Sequence, residues 1–143
     1  MTTIMTKGDW IQIGILAAAI ISILYSQWND RKQRKLQMYA EYTRRYQDIF
    51  LNMPDDIYNG TAEIDERTKK FMRFYFDLCN EEYHLWQEGF VKNKVWQLWV
   101  EGMQIETKRE IFQKAWGAIK NDYNPDFRNY FEENVIKNKY EEK

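Results

Sequence analysis

The residues that come nearest to a catalytic arrangement lie within one short stretch. Asp77, Glu81 and His84 stand at positions i, i+4 and i+7, a spacing that places them on one face of a helix. A carboxylate beside an imidazole is a general acid–base pair, so His84 is the candidate catalytic residue. A surface histidine with ion-paired neighbours explains the same pattern, and the sequence has no second histidine. We favour that explanation and expect no enzymatic activity.

The residues that could bind a metal or react as a thiol lie in the same segment. Glu81 and His84 form one Glu-x-x-His unit, which di-iron helical bundles use in pairs, but a second unit would need a second histidine. A structural zinc site needs about four nitrogen or sulfur ligands. Cys79 is the single cysteine, which excludes an intrachain disulfide, and it lies among apolar residues where cysteine behaves as a small hydrophobe. We expect no metal and no other cofactor.

Basic residues next to aromatic ones suggest nucleotide binding, because stacking and positive charge together hold unpaired bases. The candidate contacts are Lys70, Arg73, Lys92 and Lys94. The same residues fit solvated helix starts, and residues 51–143 carry 14 basic and 18 acidic side chains. The glycines form no phosphate-binding loop. Core packing with solvated cations is therefore the favoured interpretation.

The element that must position everything else is an uncharged stretch of 20 residues, 10–29. At about 1.5 Å per residue it covers roughly 30 Å, the thickness of a bilayer's hydrocarbon core. Trp10 at one end and Tyr25 with Trp28 at the other suit the lipid interface. The sequence predicts a transmembrane helix over 10–29, preceded by a short outer tail, residues 1–9.

Two alternatives compete with this span. A cleaved signal peptide has a basic start and a small-residue site after a short apolar stretch, whereas here only Lys7 precedes and the three alanines at 17–19 lie inside the stretch. A buried core helix of a soluble protein is the other. A lipoprotein is excluded because no cysteine follows the apolar run. We favour the membrane span over both.

Basic residues mark the side that faces the cytoplasm. Four of them follow the span, against Lys7 alone before it: Arg31, Lys32, Arg34 and Lys35. The rule for loop charge places the C-terminal part in the cytoplasm and the N-terminus outside, in an inner membrane. The bilayer is then the first partner, although a role as topology determinants alone explains these four residues.

A second feature of the span is its small residues. Gly14, Ala18 and Ser22 recur every four positions, a spacing that lets two membrane helices approach closely. Self-association through this face and the mere frequency of small residues in membrane helices explain the pattern equally well.

The next segment, residues 30–54, is predicted as a basic juxtamembrane helix continuing from the span, because no proline or glycine occurs before Pro54. Its apolar seam has spacings of three and four: Tyr39, Tyr42, Tyr46, Ile49 and Met53. The seam either pairs with a second subunit or packs on the helical body that follows. Because two heptads are short for a coiled coil, we favour packing within the chain.

Residues 55–136 are predicted as a small cytoplasmic bundle of about four helices, followed by a charged tail, 137–143. The first helix runs from about Asp65 to Gln87 and is ended by Gly89. The second begins near Asn93. Thr107-Lys108-Arg109-Glu110 reads as a capping box that starts the third, and Asn124-Pro125-Asp126 caps the fourth. The fold class is therefore all-α.

The first of these helices is apolar on two stripes. One holds Phe71, Phe74, Tyr75, Leu78 and Leu85, and the other holds Met72, Phe76, Cys79, Tyr83 and Trp86. Such a helix must be central in its domain or covered by another subunit. We take Met72, Phe76, Tyr83 and Trp86 as the candidate interaction surface and expect a homo-oligomer or another protein partner.

Several segments resemble a family of small bacterial single-pass membrane proteins of undefined function. They are Tyr46-Gln47-Asp48-Ile49, the stretch 75–83 reading YFDLCNEEY, Gly89-Phe90-Val91 and the stretch 95–103 reading VWQLWVEGM. The resemblance implies a helical cytoplasmic domain on one membrane helix, with no activity attached to any residue. It implies a bacterial setting as well.

Length and composition limit the possible functions further. With 143 residues the chain holds one modest domain plus an appendage, and its 21 basic and 22 acidic residues give no cationic field for nucleic acid. The leading hypothesis is a membrane-anchored, non-enzymatic interaction module. The alternative, on architectural analogy alone, is a membrane effector of a bacterial defence system that senses a cyclic oligonucleotide.

Overall fold

The computed structural model describes the backbone of residues 7–137 and the side chains of residues 11–137, and all regular elements in this range are helical. The α-helices are α1 (Lys7–Leu51), α2 (Asp55–Tyr58), α3 (Glu66–Gln87), α4 (Asn93–Thr107), α5 (Glu110–Ile119) and α6 (Pro125–Phe131). A 3-10 turn, Lys120–Asp122, follows α5, and a π-helical turn, Glu132–Ile136, follows α6. The all-α prediction is confirmed for these residues. The outer tail 1–9 and the ring of Trp10 lie outside the described side chains, as does nearly all of the tail 137–143.

The described residues up to Glu41 form one compact unit and consist of α1 alone. Their large apolar side chains are exposed, from 45% at Ile13 to 66% at Ile21. At the end of the apolar stretch the rings of Tyr25 and Trp28 lie 6.3 Å apart, and the Lys32 ammonium lies 5.8 Å from the Trp28 ring. Within the described range this is the one helix long and apolar enough to cross a membrane.

The second unit begins at Tyr42 and includes the end of α1. The reason is the aromatic end of α1, where the ring of Phe50 lies 6.0 Å from Tyr75 and 6.3 Å from Phe112. Met53 is buried as well. The last ten residues of α1 therefore belong to the helical body, and the seam from Tyr42 onward packs within the chain, as predicted.

The core of this body is aromatic and centres on α3. Phe76 lies 5.1 Å from Trp116 of α5 and 5.8 Å from Phe131 of α6, between ring centroids. Trp116 and Phe131 are in turn 4.7 Å apart. Edge-to-face and tilted contacts at these distances are favourable for aromatic rings. The apolar stripe of α3 that contains Phe76 is thus covered by helices of the same chain.

The structure shows what covers the candidate interaction surface within the chain. Met72, Phe76 and Tyr83 are buried, and Trp86 is half-buried against Trp96, with ring centroids 5.1 Å apart. Of the two alternatives left open by the sequence, this is a helix central in its domain, because α5 and α6 bring aromatic side chains onto that face. An exposed member of the other stripe is Phe74, at 56%.

Three helix ends lie where the sequence predicts them. The Asp65 carboxylate accepts from the Thr68 amide at the start of α3, and Asn124 caps α6 by accepting from the Phe127 amide. Gly89, with φ +76°, ends α3, because this left-handed conformation suits glycine. The three predicted ends are confirmed.

The predicted capping box was wrong. Thr107 is the last residue of α4, and its hydroxyl donates to the Met103 carbonyl at 2.8 Å instead of capping the next helix. A threonine hydroxyl that bonds back to a carbonyl four residues earlier belongs to the preceding helix. α5 accordingly begins at Glu110, with Arg109 at its N-cap.

Phe76 and Phe74 provide a matched test of this core. Phe76→Ala removes a fully buried ring and should lower the free energy of unfolding by about 3–5 kcal/mol. Phe74→Ala, on the exposed side of the same helix, should cost less than about 1 kcal/mol. Denaturant unfolding of the full chain followed by tryptophan fluorescence measures both. Equal losses would contradict the assignment of Phe76 to the core.

Candidate functional site

The most distinctive feature of the helical body is a groove of about 220 Å³ between the end of α1, α3 and α4. Each helix contributes side chains with helical spacing, so the groove follows directly from how the three helices pack. Its lining consists of Tyr42, Thr43 and Tyr46 from α1, Tyr75, Leu78, Cys79 and Glu82 from α3, and Leu98, Trp99, Gly102 and Met103 from α4. Leu98 is 60% exposed and marks the open rim.

Glu82 is the one carboxylate in this lining. It is buried, with 7% of its surface exposed. Burial raises the pKa of Glu82 to about 8, with smaller opposing effects from Arg45 and Glu81. At pH 7 the carboxyl is therefore mostly protonated, which is uncommon for glutamate and typical of functional sites.

Glu81, its neighbour, has the opposite surroundings. Arg45 of α1 contacts both oxygens of Glu81, at 2.6 and 3.1 Å, and the Tyr42 hydroxyl donates to the same carboxylate at 3.2 Å. The hydrogen bonds from Arg45 hold the pKa of Glu81 below its usual range. Two adjacent carboxyls thus differ in charge at neutral pH, because one is ion-paired and the other is buried.

The lining also contains the hydroxyls of Tyr75 and Tyr46 and the thiol of Cys79, all of which are uncharged at neutral pH. Burial raises the pKa of the Tyr75 hydroxyl and of the Cys79 thiol. The Tyr46 hydroxyl donates to Glu106 at 3.1 Å, and burial raises its pKa too. A buried, protonated thiol is a poor nucleophile, so Cys79 contributes packing here rather than reactivity.

The sequence-predicted acid–base strip does not converge on one site. Asp77 accepts from the Tyr123 hydroxyl at 2.7 Å, Glu81 binds Arg45, and His84 Nε2 lies 3.1 Å from the Asn124 side-chain nitrogen. Each of the three side chains has its own partner on a different element. In the described part of the chain, no group of three or more histidine, cysteine or acidic residues is placed to hold a metal.

The candidate nucleotide contacts lie towards opposite ends of α3. Lys70 and Arg73 are near its start, whereas Lys92 and Lys94 follow its end, which corresponds to roughly 25 Å along the helix axis. Arg73 also forms an ion pair with Asp122. The four cations therefore form two separate groups, and none of them lines the groove.

The predicted membrane residues are all placed on α1. Gly14, Ala18 and Ser22 are exposed, and a Cβ added to Gly14 would meet no atom within 4 Å. Arg31, Lys32 and Arg34 are exposed and Lys35 is half-buried. Their roles in helix packing and at the lipid surface stay predictions, because they concern molecules beyond this chain.

Glu82 is the residue that sequence reasoning missed. It lies seven residues after Tyr75 and three after Cys79, on the face that those apolar side chains define. An acidic residue in register with a buried stripe is a signal of a buried carboxyl. The acid–base hypothesis used Glu81 and His84 instead, which occupy the polar strip.

Known proteins give no guide to this site. No family model matches the chain, and comparison with curated proteins and with solved structures gave no match. The resemblance to small bacterial membrane proteins stays a prediction, and the groove has to be interpreted from its own geometry.

Glu82→Gln tests the buried carboxyl through stability. The folded-state pKa is above the unfolded value, so wild-type stability should fall as pH rises from about 4.5 to 8 and then level off. Relative to wild type, the variant should gain roughly 2–4 kcal/mol over that pH interval. Denaturant unfolding at pH 4.5, 6, 7 and 8.5 measures the difference.

Glu81→Gln is the control on the same helix. Because its folded-state pKa is lowered, the stability that Glu81 contributes is present above the unfolded pKa and is lost as pH falls. The two variants should therefore show pH dependences of opposite sign. Parallel curves would contradict the assignment of Glu82 as a buried, protonated carboxyl.

Proposed function

We propose that the protein is a membrane-anchored, non-enzymatic interaction module of a bacterial inner membrane. In this proposal residues 10–29 cross the bilayer once, with the N-terminus outside. Residues 31–35 lie at the cytoplasmic surface of the membrane. The helical body is a small bundle that faces the cytoplasm, and the groove is its binding surface.

The observation that carries the anchor is the exposure of apolar side chains along α1. Ile15 and Leu24 are typical of this segment, with about two-thirds of their surface exposed, and the window that qualifies as a span is 0% buried. Removing one such side chain from water contributes about 1.5–3 kcal/mol. A lipid environment offers that gain along the whole stretch, whereas the interpretation as a core helix requires burial inside the protein.

The body supports binding better than catalysis. Cys79 is buried and protonated, and His84 lies at the surface beside Asn124, away from the groove lining. The groove has apolar and aromatic walls with one carboxyl, an arrangement typical of ligand sites. We therefore place the function in recognition, by this groove, of a molecule at the membrane surface.

Self-association is the second part of the proposal. The stripe around Phe76 is used inside the chain, so Gly14, Ala18 and Ser22 are the remaining surface that we assign to it. Close approach of two helices along such small residues is a common mode of membrane-helix pairing. A further protein partner would bind through the body.

The nucleotide-sensing alternative has less support. The candidate cations form two groups, one near each end of α3, and the lining of the groove contains no lysine or arginine that could bind a phosphate. The analogy to defence effectors rests on architecture, and no described residue favours it.

Membrane fractionation tests the anchor. Leu16→Arg together with Ile20→Arg places two charges at the centre of the span, at about 2.5–3.5 kcal/mol each, and should release the chain from membranes washed with alkaline carbonate. Gln33→Arg with Gln37→Arg, at exposed positions further along α1, should leave it in the pellet. Wild type in the soluble fraction would contradict the anchor.

Orientation is tested by labelling a cysteine. Glu63→Cys adds an exposed thiol to the body, while native Cys79 is buried and should not react. A membrane-impermeant maleimide should label this variant in inverted inner-membrane vesicles and leave it unlabelled in right-side-out vesicles. The reverse pattern would place the body outside the cytoplasm.

Self-association is tested by mass measurement in maltoside micelles. Gly14→Leu should reduce the oligomer mass of wild type to that of a monomer, since a large side chain separates the helices. Ala19→Leu, about 100° around the helix from Ala18 at the centre of the small-residue face, should leave the oligomer intact. A monomeric wild type would contradict this part of the proposal.

A further inference from the structure

We propose that the groove between α1, α3 and α4 binds a small organic cation of the substituted-ammonium class, with Glu82 as its counter-ion and aromatic rings as its walls. This inference rests on the proposed function in one respect, since it names the class of ligand that the groove recognises. It does not depend on how the chain is anchored.

The walls are the first argument. The rings of Tyr42, Tyr46, Tyr75 and Trp99 line the groove, and the Tyr42 and Trp99 centroids are 5.8 Å apart. Aromatic faces attract cations within about 6 Å of the ring centroid, and quaternary ammonium groups are recognised by cages of such rings. One cation already uses a wall residue, since the Arg45 guanidinium lies 5.1 Å from the Tyr42 ring, with its charge balanced by Glu81.

The counter-ion is the second argument. Glu82 is 7% exposed, and its carboxyl belongs to the lining of the groove. An ionised carboxyl that has lost most of its water is unfavourable without an opposite charge beside it. A cation in the groove would supply that charge, which is why the ligand is positively charged rather than neutral or anionic.

The kind of cation follows from the apolar character of most of the lining. Apart from the Glu82 carboxyl, the Cys79 thiol and the hydroxyls of Thr43 and three tyrosines, the groove is lined by aromatic and aliphatic groups. A primary ammonium has three N–H donors and no apolar surface of its own to place against these walls. An alkylated ammonium has few or no N–H donors and presents apolar methyl groups, so it suits these walls better.

Size limits the ligand in the same direction. The groove holds about 220 Å³, which is below the roughly 300–1,000 Å³ of sites for drug-sized ligands. A trimethylammonium group with a short chain fits that volume, and the open rim at Leu98 leaves room for the chain to leave the groove.

Binding of this cation should be linked to proton release. The carboxyl of Glu82 is mostly protonated at pH 7 in the empty groove, and a bound cation favours its ionised form. The other ionisable groups around it are Arg45, Tyr42 and Tyr46 from α1, Glu81, Tyr75 and Cys79 from α3, and Glu106 from α4. Arg45 and Glu81 keep their charges at neutral pH, and the tyrosines and the thiol stay protonated.

The experiment is calorimetric titration of the full chain in maltoside, free of choline-containing detergents and lipids, with choline and with 3,3-dimethylbutan-1-ol, its uncharged carbon isostere. Choline should bind at least tenfold more tightly than the isostere. Its affinity should rise about tenfold between pH 7 and 9 and release nearly one proton at pH 7. Equal binding of the two ligands, or no choline binding at 10 mM, would overturn the proposal.

Variants separate the counter-ion from general effects. Glu82→Gln should weaken choline binding at least tenfold and remove its pH dependence, while Trp99→Leu should weaken binding but keep the pH dependence. Glu88→Gln removes an exposed carboxyl from the end of the same helix and should change neither. Choline binding that is unaffected by Glu82→Gln would refute the assigned counter-ion.

The two proposals can fail separately. Leu16→Arg with Ile20→Arg tests the anchor and should leave choline binding unchanged, because the groove lining starts at Tyr42. Glu82→Gln tests the ligand and should leave the chain in the membrane fraction. A wild type that stays in membranes without binding choline would refute the ligand class alone.

Discussion

α3 is the constraint on which the helical body depends, because it is apolar on most of its circumference. Twenty-two residues long, it buries side chains towards α1, α4, α5 and α6, and each of these helices supplies aromatic rings to cover it. Phe76 sits at the centre, in contact with rings from α5 and α6. The end of α1 joins the body for the same reason, since Phe50 covers Tyr75.

The same packing creates the site. When the apolar face of α3 is covered by the end of α1 and by α4, a carboxyl on that face loses water, and Glu82 is left 7% exposed. Its neighbour Glu81 projects one position further around the helix, where Arg45 reaches it. Glu81 and Glu82 are adjacent in sequence and lie about 100° apart around the helix, so one forms an ordinary ion pair and the other is a buried, protonated acid.

Much of this was predictable from sequence, and the remainder depended on contacts between distant segments. The apolar stretch, the end of α3 at Gly89 and the cap at Asn124 are local signals, and they predicted the elements correctly. For the stripe around Phe76 the sequence left two alternatives open, because periodicity shows that a face is apolar but not what covers it. Glu82 was missed since its environment comes from α1 and α4, far away in the chain.

The charge state of Glu82 is the central claim, and it can be observed directly. Carbon-13 NMR of the side-chain carboxyls in the full chain, assigned with Glu82→Gln, follows this group through a pH titration. The account predicts a midpoint near pH 8 in the empty groove, falling when choline is added. A midpoint near the usual value for glutamate, unchanged by choline, would contradict it.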